Sequence, residues 1–375
     1  MPKNLIPYSR QHIDQADVNA VSLSLKQDLI TQGKKLKELE ASICKKLKCK
    51  YAVACSSATA GLHLVNMLFN KKKIAVPALT FFSSVSTILQ SNNYPVFFDI
   101  NYSNLLLDIN ELIKKNKKFD IIMNVLFSGN SINSKQLRNT FSKKIIIEDA
   151  SHALGSNYSD GSPVGSCKYS DFTIFSLHPV KSITSGEGGI ITTNNKKYYE
   201  KLILLRSHGI LRKKNRKHDW EYEINNFGLN YRLSEIQAAL ALSQLNKLKK
   251  FIDFRKKISK KYDLYFKENI NIDVPQNSNL ERNNSACHLY IIRLKNIRTR
   301  NFLFKKLKSY GIASQVHYIP VYKFNVIKKK IKNLKELKNT EKHFKTCLSI
   351  PCFYKLNDNK VRSIAKIINQ LTIKK

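Results

Sequence analysis

The stretch "DFTIFSLHPVKSITSGEGGIITTN", residues 171–194, decides how the rest of the chain is read. It holds two apolar runs, "DFTIFSL" and "GGIITTN", joined through a turn with three glycines. Apolar runs without polar alternation suit strands covered on both faces. At the end of the first run stands Lys181. A lysine withdrawn from water has its charged form disfavoured, so its pKa falls and it becomes a usable amine nucleophile. That is the property required of a Schiff-base lysine. On this stretch alone, a solvated loop lysine is the simpler reading, since the chain carries 65 lysines and arginines in 375 residues.

The neighbouring segments repeat the strand pattern. "YAVAC", "KIAVPA", "PVFFDI", "FDIIMNVLF" and "KIIIEDAS" are apolar runs separated by helix-like or loop segments. Residues 14–28 and 34–47 read as amphipathic helices, and "SSATAGLHLVNMLF" as a helix capped by its Ser and Thr. A further helix starts at about Ser83. Continuous apolar strands alternating with helices predict an α/β fold with a mostly parallel sheet covered on both faces. "LSEIQAALALSQLNKLKKFIDFRKKISKKYDLYF" reads as one long helix, or two in series, handing a large domain over to a small one. Beyond it the pattern becomes α+β: a strand "CHLYIIRL", a helix "RNFLFKKLKSYG", a strand "ASQVHY" and two final helices. The expected division is a large α/β domain with an N-terminal arm over residues 1–250 and a smaller α+β domain over 251–375.

Hydrophobic residues make up 42% of the chain, enough for a sizeable core, and the formal net charge is +38. Such a charge favours polyanions electrostatically. The basic residues are spread out, however ("KKLKCK", "NKKKIAV", "RKKNRKHDW", "KFNVIKKKIKNLKELK"), and no nucleic-acid-binding motif accompanies them. They read as a solvated shell with local anion sites, and no specific nucleic-acid partner is expected. The seven cysteines form no C-x-x-C pair, which argues against a disulfide framework and a zinc site. Neither a signal-like apolar segment nor a membrane-length run is present, so a reduced, cytoplasmic protein without membrane association is expected.

Ligands of open parallel sheets collect at the carboxyl ends of the strands. Four features of the sequence lie there. "SSATAG" (56–61) opens a helix, where free N–H groups with the hydroxyls of Ser57 and Thr59 make an anion site; alone, it could be an ordinary cap. "IEDASHALG" (147–155) ends a hydrophobic strand on Asp149, with His152 three residues on. A carboxylate there needs a partner, although a capping Asp and a core His would also read this way. "LTFF" (79–82) supplies an aromatic past its strand, one of Phe81 and Phe82 being core. "SLHPVK" supplies Ser176 and Lys181. An anion cradle, an aromatic face, an acid and an amine nucleophile together match the needs of pyridoxal 5'-phosphate.

In chain order, "TQGK", "SSATAGLHL", "EDASHALGS", "HPVKSITSGEGG", "RSHGI", "NYRLSEIQAALALSQL", "HLYIIRL", "QVHYIPVY" and "LSIPC" resemble the DegT/DnrJ/EryC1/StrS family of sugar-nucleotide aminotransferases over nearly the whole chain. The resemblance implies a fold type I transferase. It makes Lys181 the lysine that bonds the cofactor, Asp149 the partner of the pyridinium nitrogen, and His152 a neighbour of the ring hydroxyl. Phe81 matches the stacking aromatic. Ala58, Thr59 and Ser176 match phosphate ligands, and Asn230 matches a residue reaching the phosphate from the other subunit of a homodimer. Tyr8, Thr31, Gln315, Val316, His317 and Tyr318 match positions near the nucleotide-sugar. The implied reaction moves an amino group from L-glutamate to C4 of a UDP-linked 4-keto-6-deoxy-N-acetyl hexose of pseudaminic acid synthesis. The alternatives are 3- or 4-amino transfer on another dTDP- or GDP-keto sugar and, more remotely, a basic regulatory or nucleic-acid-binding protein with a degenerate site. "VLFSGNSIN" (125–133) and "NYSNLLLDIN" (101–110) depart from the family pattern and bear on substrate fit. Lys181 itself argues against the dehydrase branch, in which a histidine replaces the lysine.

Overall fold

The computed structural model describes residues 5–212 and 218–373; most of the basic run "RKKNRKHDW" lies outside the described residues. The chain opens with α1 (Gln15–Leu25), α2 (Lys34–Leu47), β1 (Tyr51–Cys55), α3 (Ala58–Asn66), β2 (Lys73–Pro77), α4 (Ser83–Gln90) and β3 (Tyr94–Phe98). It continues through α5 (Ile109–Lys114), β4 (Ile121–Val125), α6 (Ser134–Thr140), β5 (Ile145–Asp149), β6 (Phe172–Ser176), β7 (Gly189–Thr193) and α7 (Lys196–Arg206). The short strands β8 (Ile210–Leu211) and β9 (Glu223–Ile224) precede the 32-residue helix α8 (Glu235–Phe266). The remainder is α9 (Asn279–Asn284), β10 (Tyr290–Arg293), α10 (Ile297–Ser309), α11 (Asn325–Lys330), α12 (Lys338–Thr346), β11 (Cys347–Ile350) and α13 (Asp358–Ile373).

Seven strands form one sheet in the order β1-β7-β6-β5-β4-β2-β3. The pairings β6–β5, β5–β4, β4–β2 and β2–β3 are parallel, and β7 runs antiparallel to both its neighbours. The central strands β4, β6 and β7 are buried along their whole length and β5 all but Ile145, as long apolar runs favour. Register then sets the site. Gly189 pairs with Cys55 on one side and Ser176 on the other, while Asp149 pairs with Val125 and Ile174. The carboxyl ends of β1, β6, β5 and β4 therefore meet along one edge. Gly189 is needed there, because a Cβ would lie 2.3 Å from the carbonyl oxygen of Ser57.

α8 is a single helix, opened by a capping box between Ser234 and Gln237. Its first half packs on α1 and α2. Its second half contributes Ile258, Tyr262 and Phe266 to a core with Tyr290, Leu303, Leu348 and Ile364. Two expectations are corrected in this part of the chain. "ASQVHY" is not a strand: it makes one bridge, between Gln315 and Ser349, and then carries His317 and Tyr318 to the cavity. The strand that pairs with β10 is Cys347–Ile350, which occupies that edge. The C-terminal part also holds three helices after residue 324, α11 to α13, with β11 between the last two, instead of two helices alone.

Candidate active site

A cavity of about 680 Å³ opens at the carboxyl edge of the sheet. Tyr8, Ser57, Ala58, Thr59, Phe81, Asp149, His152, Ser176, Lys181, Gln315, Val316, His317 and Tyr318 all line it. Of the residues expected at the site, Thr31 and Asn230 lie outside this cavity: each is exposed, Thr31 bridging Ser234 and Asn230 bridging Ser207.

Asp149 ends β5 and is buried. One carboxylate oxygen accepts from Ser84 Oγ at 2.7 Å, and the other from Ser151 Oγ at 2.6 Å and Ser151 N–H at 3.1 Å. Both oxygens are thus held by neutral donors, and no ion pair neutralises the charge among the described residues. Such a carboxylate is preorganised for a cationic N–H.

Lys181 follows β6 by a tight turn in which its N–H bonds the carbonyl of His178 at 2.9 Å. Burial pulls its amine down from 10.5 to about 8; the Arg255 guanidinium acts in the same direction, and Asp149 opposes it. Loss of the proton, which gives the state a nucleophile needs, is thus brought closer to neutral pH. α3 begins at Ala58 after the Ser57 cap, whose Oγ accepts from Ala60 N–H at 3.0 Å. The earlier N–H groups of the helix face the cavity end, an anion cradle.

Phe81 is 59% exposed and lines the cavity with Tyr318 at 6.0 Å between ring centroids, while the half-buried Phe82 also reaches the cavity and packs against the core. His152 accepts from Ser128 N–H at Nδ1, 3.3 Å away, so its neutral ring carries hydrogen on Nε2, 3.3 Å from Tyr318 Oη. Burial and the neighbouring Lys181 hold its pKa well below the ordinary value. Burial likewise brings His317 to about 3 and pushes the Tyr318 phenol up. These rings are neutral hydrogen-bonding groups at working pH.

Reading residues in order missed several members of the site. Ser84 is the second residue of α4, and only tertiary packing brings it to Asp149. Ser151, two residues after Asp149, could have been found as an Asx turn. Ser128, with a φ of 61°, replaces nothing recognisable in the sequence and reveals its role only by pinning His152. His288, stacked 4.3 Å from His152, lies 136 positions further along the chain and carries no local signal.

The family model for DegT/DnrJ/EryC1/StrS aminotransferases matches residues 11–369. This chain belongs to that aminotransferase family. It is 38% identical over 363 residues to the UDP-4-amino-4,6-dideoxy-N-acetyl-beta-L-altrosamine transaminase of Campylobacter jejuni subsp. jejuni serotype O:23/36, covering 94% of each chain. The Helicobacter pylori transaminase of the same name is 32% identical over 369 residues, covering 96% of this chain and 95% of that one. Among solved structures, Helicobacter pylori PseC, an aminotransferase involved in the biosynthesis of pseudoaminic acid, superposes with a TM-score of 0.92 at 30% identity, covering 99% of this chain and 100% of PseC. As a member of the family, the chain has the fold type I architecture expected of it.

Proposed function

We propose that this DegT-family chain moves the amino group of L-glutamate to C4 of a UDP-linked 4-keto-6-deoxy-N-acetyl hexose, with pyridoxal 5'-phosphate held at the sheet edge. One observation carries the reading: Lys181, with its amine brought down to about 8, shares a cavity with the buried carboxylate of Asp149, the start of α3 and the exposed ring of Phe81. Those residues fit the cofactor group by group. The Asp149 carboxylate lacks a cationic partner, the opening N–H groups of α3 suit a phosphate, and Phe81 offers a stacking face. When bound, the cofactor supplies an electron sink for the carbon that loses its proton. Lys181 would bond the cofactor, and its Nζ would carry the α proton as general base and then general acid. Asp149 would hold the pyridinium N–H. His152, its Nδ1 fixed by Ser128 N–H, would neighbour the ring hydroxyl. Tyr8, Gln315, Val316, His317 and Tyr318 line the mouth where a sugar nucleotide would enter.

The remaining parts of the reading are also proposals. Asn230 and Thr31 complete the site from a second copy in a homodimer. Exposure of Phe227 (97%), Trp220 (73%) and Ile224 (58%) close to Asn230 in sequence supports a covering subunit there. The division near residue 250 separates the sheet from the core built on Ile258, Tyr262 and Tyr290. No helix among the described residues is long and apolar enough to cross a membrane, which is compatible with a cytoplasmic enzyme.

The test is product analysis by mass spectrometry and NMR with UDP- and dTDP-linked 4-keto sugars under L-glutamate. The expected result is a new C4 amine on the UDP sugar. Equal or better turnover of the dTDP sugar would transfer the assignment to the other branch.

A further inference from the structure

Arg255 lies in the middle of α8 and is 2% exposed. A guanidinium so deep is ordinarily paired with a carboxylate. Here every bond made goes to a neutral acceptor. Nη1 donates to the carbonyls of Cys352 at 2.6 Å and His288 at 3.1 Å. Nη2 donates to the carbonyl of Val180 at 3.3 Å and to Ser9 Oγ at 3.4 Å. Ser9 Oγ in turn donates to the same Val180 carbonyl at 3.1 Å. One side chain thus joins α8, the segment after β11, the entry to β10 and the N-terminal arm to the residue immediately before Lys181.

We propose that Arg255 is a positioning residue for the aminotransferase reaction: it anchors the turn that carries Lys181 and, because no carboxylate among the described residues neutralises it, its fixed charge disfavours a proton on the Lys181 nitrogen. Lys would supply the charge but not the fork that bonds four acceptors at once. Methionine or leucine would fill the space but leave buried carbonyls unpaired. Retaining a buried charge without a counter-ion is expensive, and that cost is accounted for if the field itself is used.

The groups facing Lys181 come from several elements. Asp149, at the end of β5, raises its proton affinity, and Arg255, on α8, lowers it. His152, His288 and His317 feel the Lys181 charge and are held neutral by burial, and Tyr318 is a neutral phenol at working pH. Arg255 is therefore the one permanent cation among these groups. The Cys352 thiol beside the guanidinium is buried, and burial raises it to about 11, so it does not neutralise the charge.

This inference rests on Lys181 being the lysine that bonds the cofactor, and the test separates the two. Holoenzyme is titrated with pH while the absorbance of the lysine–cofactor chromophore is followed, and the pH profile of kcat/KM is recorded beside it. Arg255→Gln keeps donors and removes the charge. Its chromophore midpoint should rise by about one pH unit, a tenfold change in protonation equilibrium, the size expected for a charge removed at moderate effective dielectric. Ser9→Asp keeps Arg255 and places a carboxylate beside it; it should raise the midpoint in the same direction, and it stands in if the Gln variant does not fold. Arg255→Lys keeps the charge and loses the fork, so the midpoint should stay within about 0.3 unit while kcat falls. Folded Arg255→Gln or Ser9→Asp protein with an unmoved midpoint overturns the proposal, even if kcat drops. Absence of any borohydride-trapped adduct on Lys181 in the unsubstituted enzyme would instead sink the cofactor reading on which it rests.

Discussion

At the scale of single residues, the proposed reaction rests on Lys181 and Asp149, and each has a separable test. Lys181→Ala removes both the covalent anchor and the proton carrier, so steady-state transamination should fall by on the order of a thousandfold or more. Retention of full turnover would remove Lys181 from the mechanism. Asp149→Asn keeps shape and one of the two acceptor oxygens but removes the charge facing the pyridinium. Rate should fall by on the order of a hundredfold with cofactor still bound, and a normal rate in a cofactor-loaded variant would leave Asp149 a structural role only. The depressed Lys181 pKa also has a signature in stability. In the cofactor-free protein the unfolded chain keeps this proton to about 10.5, whereas the folded chain releases it at about 8. The charged form is thus disfavoured in the fold. The penalty is fully present below pH 8 and is relieved as pH rises from 8 toward 10.5. Lys181→Met should therefore raise the thermal midpoint of the cofactor-free protein at pH 7 by a few degrees at most, with the gain shrinking by pH 10. Calorimetry at the two pH values measures it, and an equal gain at both would mean that packing alone is responsible.

At the scale of elements, the ends of helices matter more than their middles. α2 has no side-chain cap of its own at Gly33. Its first N–H groups are satisfied from α8, where Glu235 accepts from Gly33 at 2.9 Å, Lys35 at 2.6 Å and Leu36 at 3.1 Å. Glu235 is 1% exposed, and its donors Gly33 and Lys35 are half-buried and Leu36 buried, so one carboxylate serves all three. Glu235→Ala should destabilise the protein by about 2–3 kcal/mol, the expense of stranding the donors of a charge-assisted bond. Urea unfolding reads this directly, and a change below about 0.5 kcal/mol would mean that water replaces the carboxylate. α3 shows the opposite arrangement. Its cap Ser57 is local, and the N–H groups left over are the ones the site uses.

At the scale of the whole molecule, the basic charge and the expected second subunit are the open quantities. If Asn230 completes a neighbour's phosphate site, mixing Lys181→Ala with Asn230→Ala should restore activity in part of the hybrids. One hybrid site then takes Lys181 and the partner's Asn230 intact, while the other carries both lesions. Asn230→Ala must be impaired alone for this to be read, and a single neutral amide contributes about 1 kcal/mol. With subunit exchange shown independently by mass spectrometry, a mixture as inactive as its components would argue against a shared site. The +38 charge predicts weak, salt-sensitive association with DNA in the same samples.

The sheet was legible in the sequence because its strands are buried on both faces. "IIMNV", "IIIED", "FTIFS" and "GIITT" are apolar or hydroxyl-bearing apart from Asn124, Glu148 and Asp149, as burial on two sides favours. Lys181, Asp149, Ser57 and Phe81 were legible for the same reason, as each interrupts or ends such a run where a ligand would lie. "ASQVHY" misled because alternation marks an extended segment without saying which edge is free, and "CLSI" holds that edge. Ser84 beside Asp149, Ser128 behind His152, Glu235 over α2 and Arg255 beneath Val180 had no signal at all. Each acts across a long separation in the chain through a hydrogen bond, and a hydrogen bond depends on a distance that only the packed fold sets. The sequence by itself therefore determined which residues could do the chemistry. The tertiary structure decided what holds them in place and tunes them, because orientation and field come from groups brought together by packing and not by order.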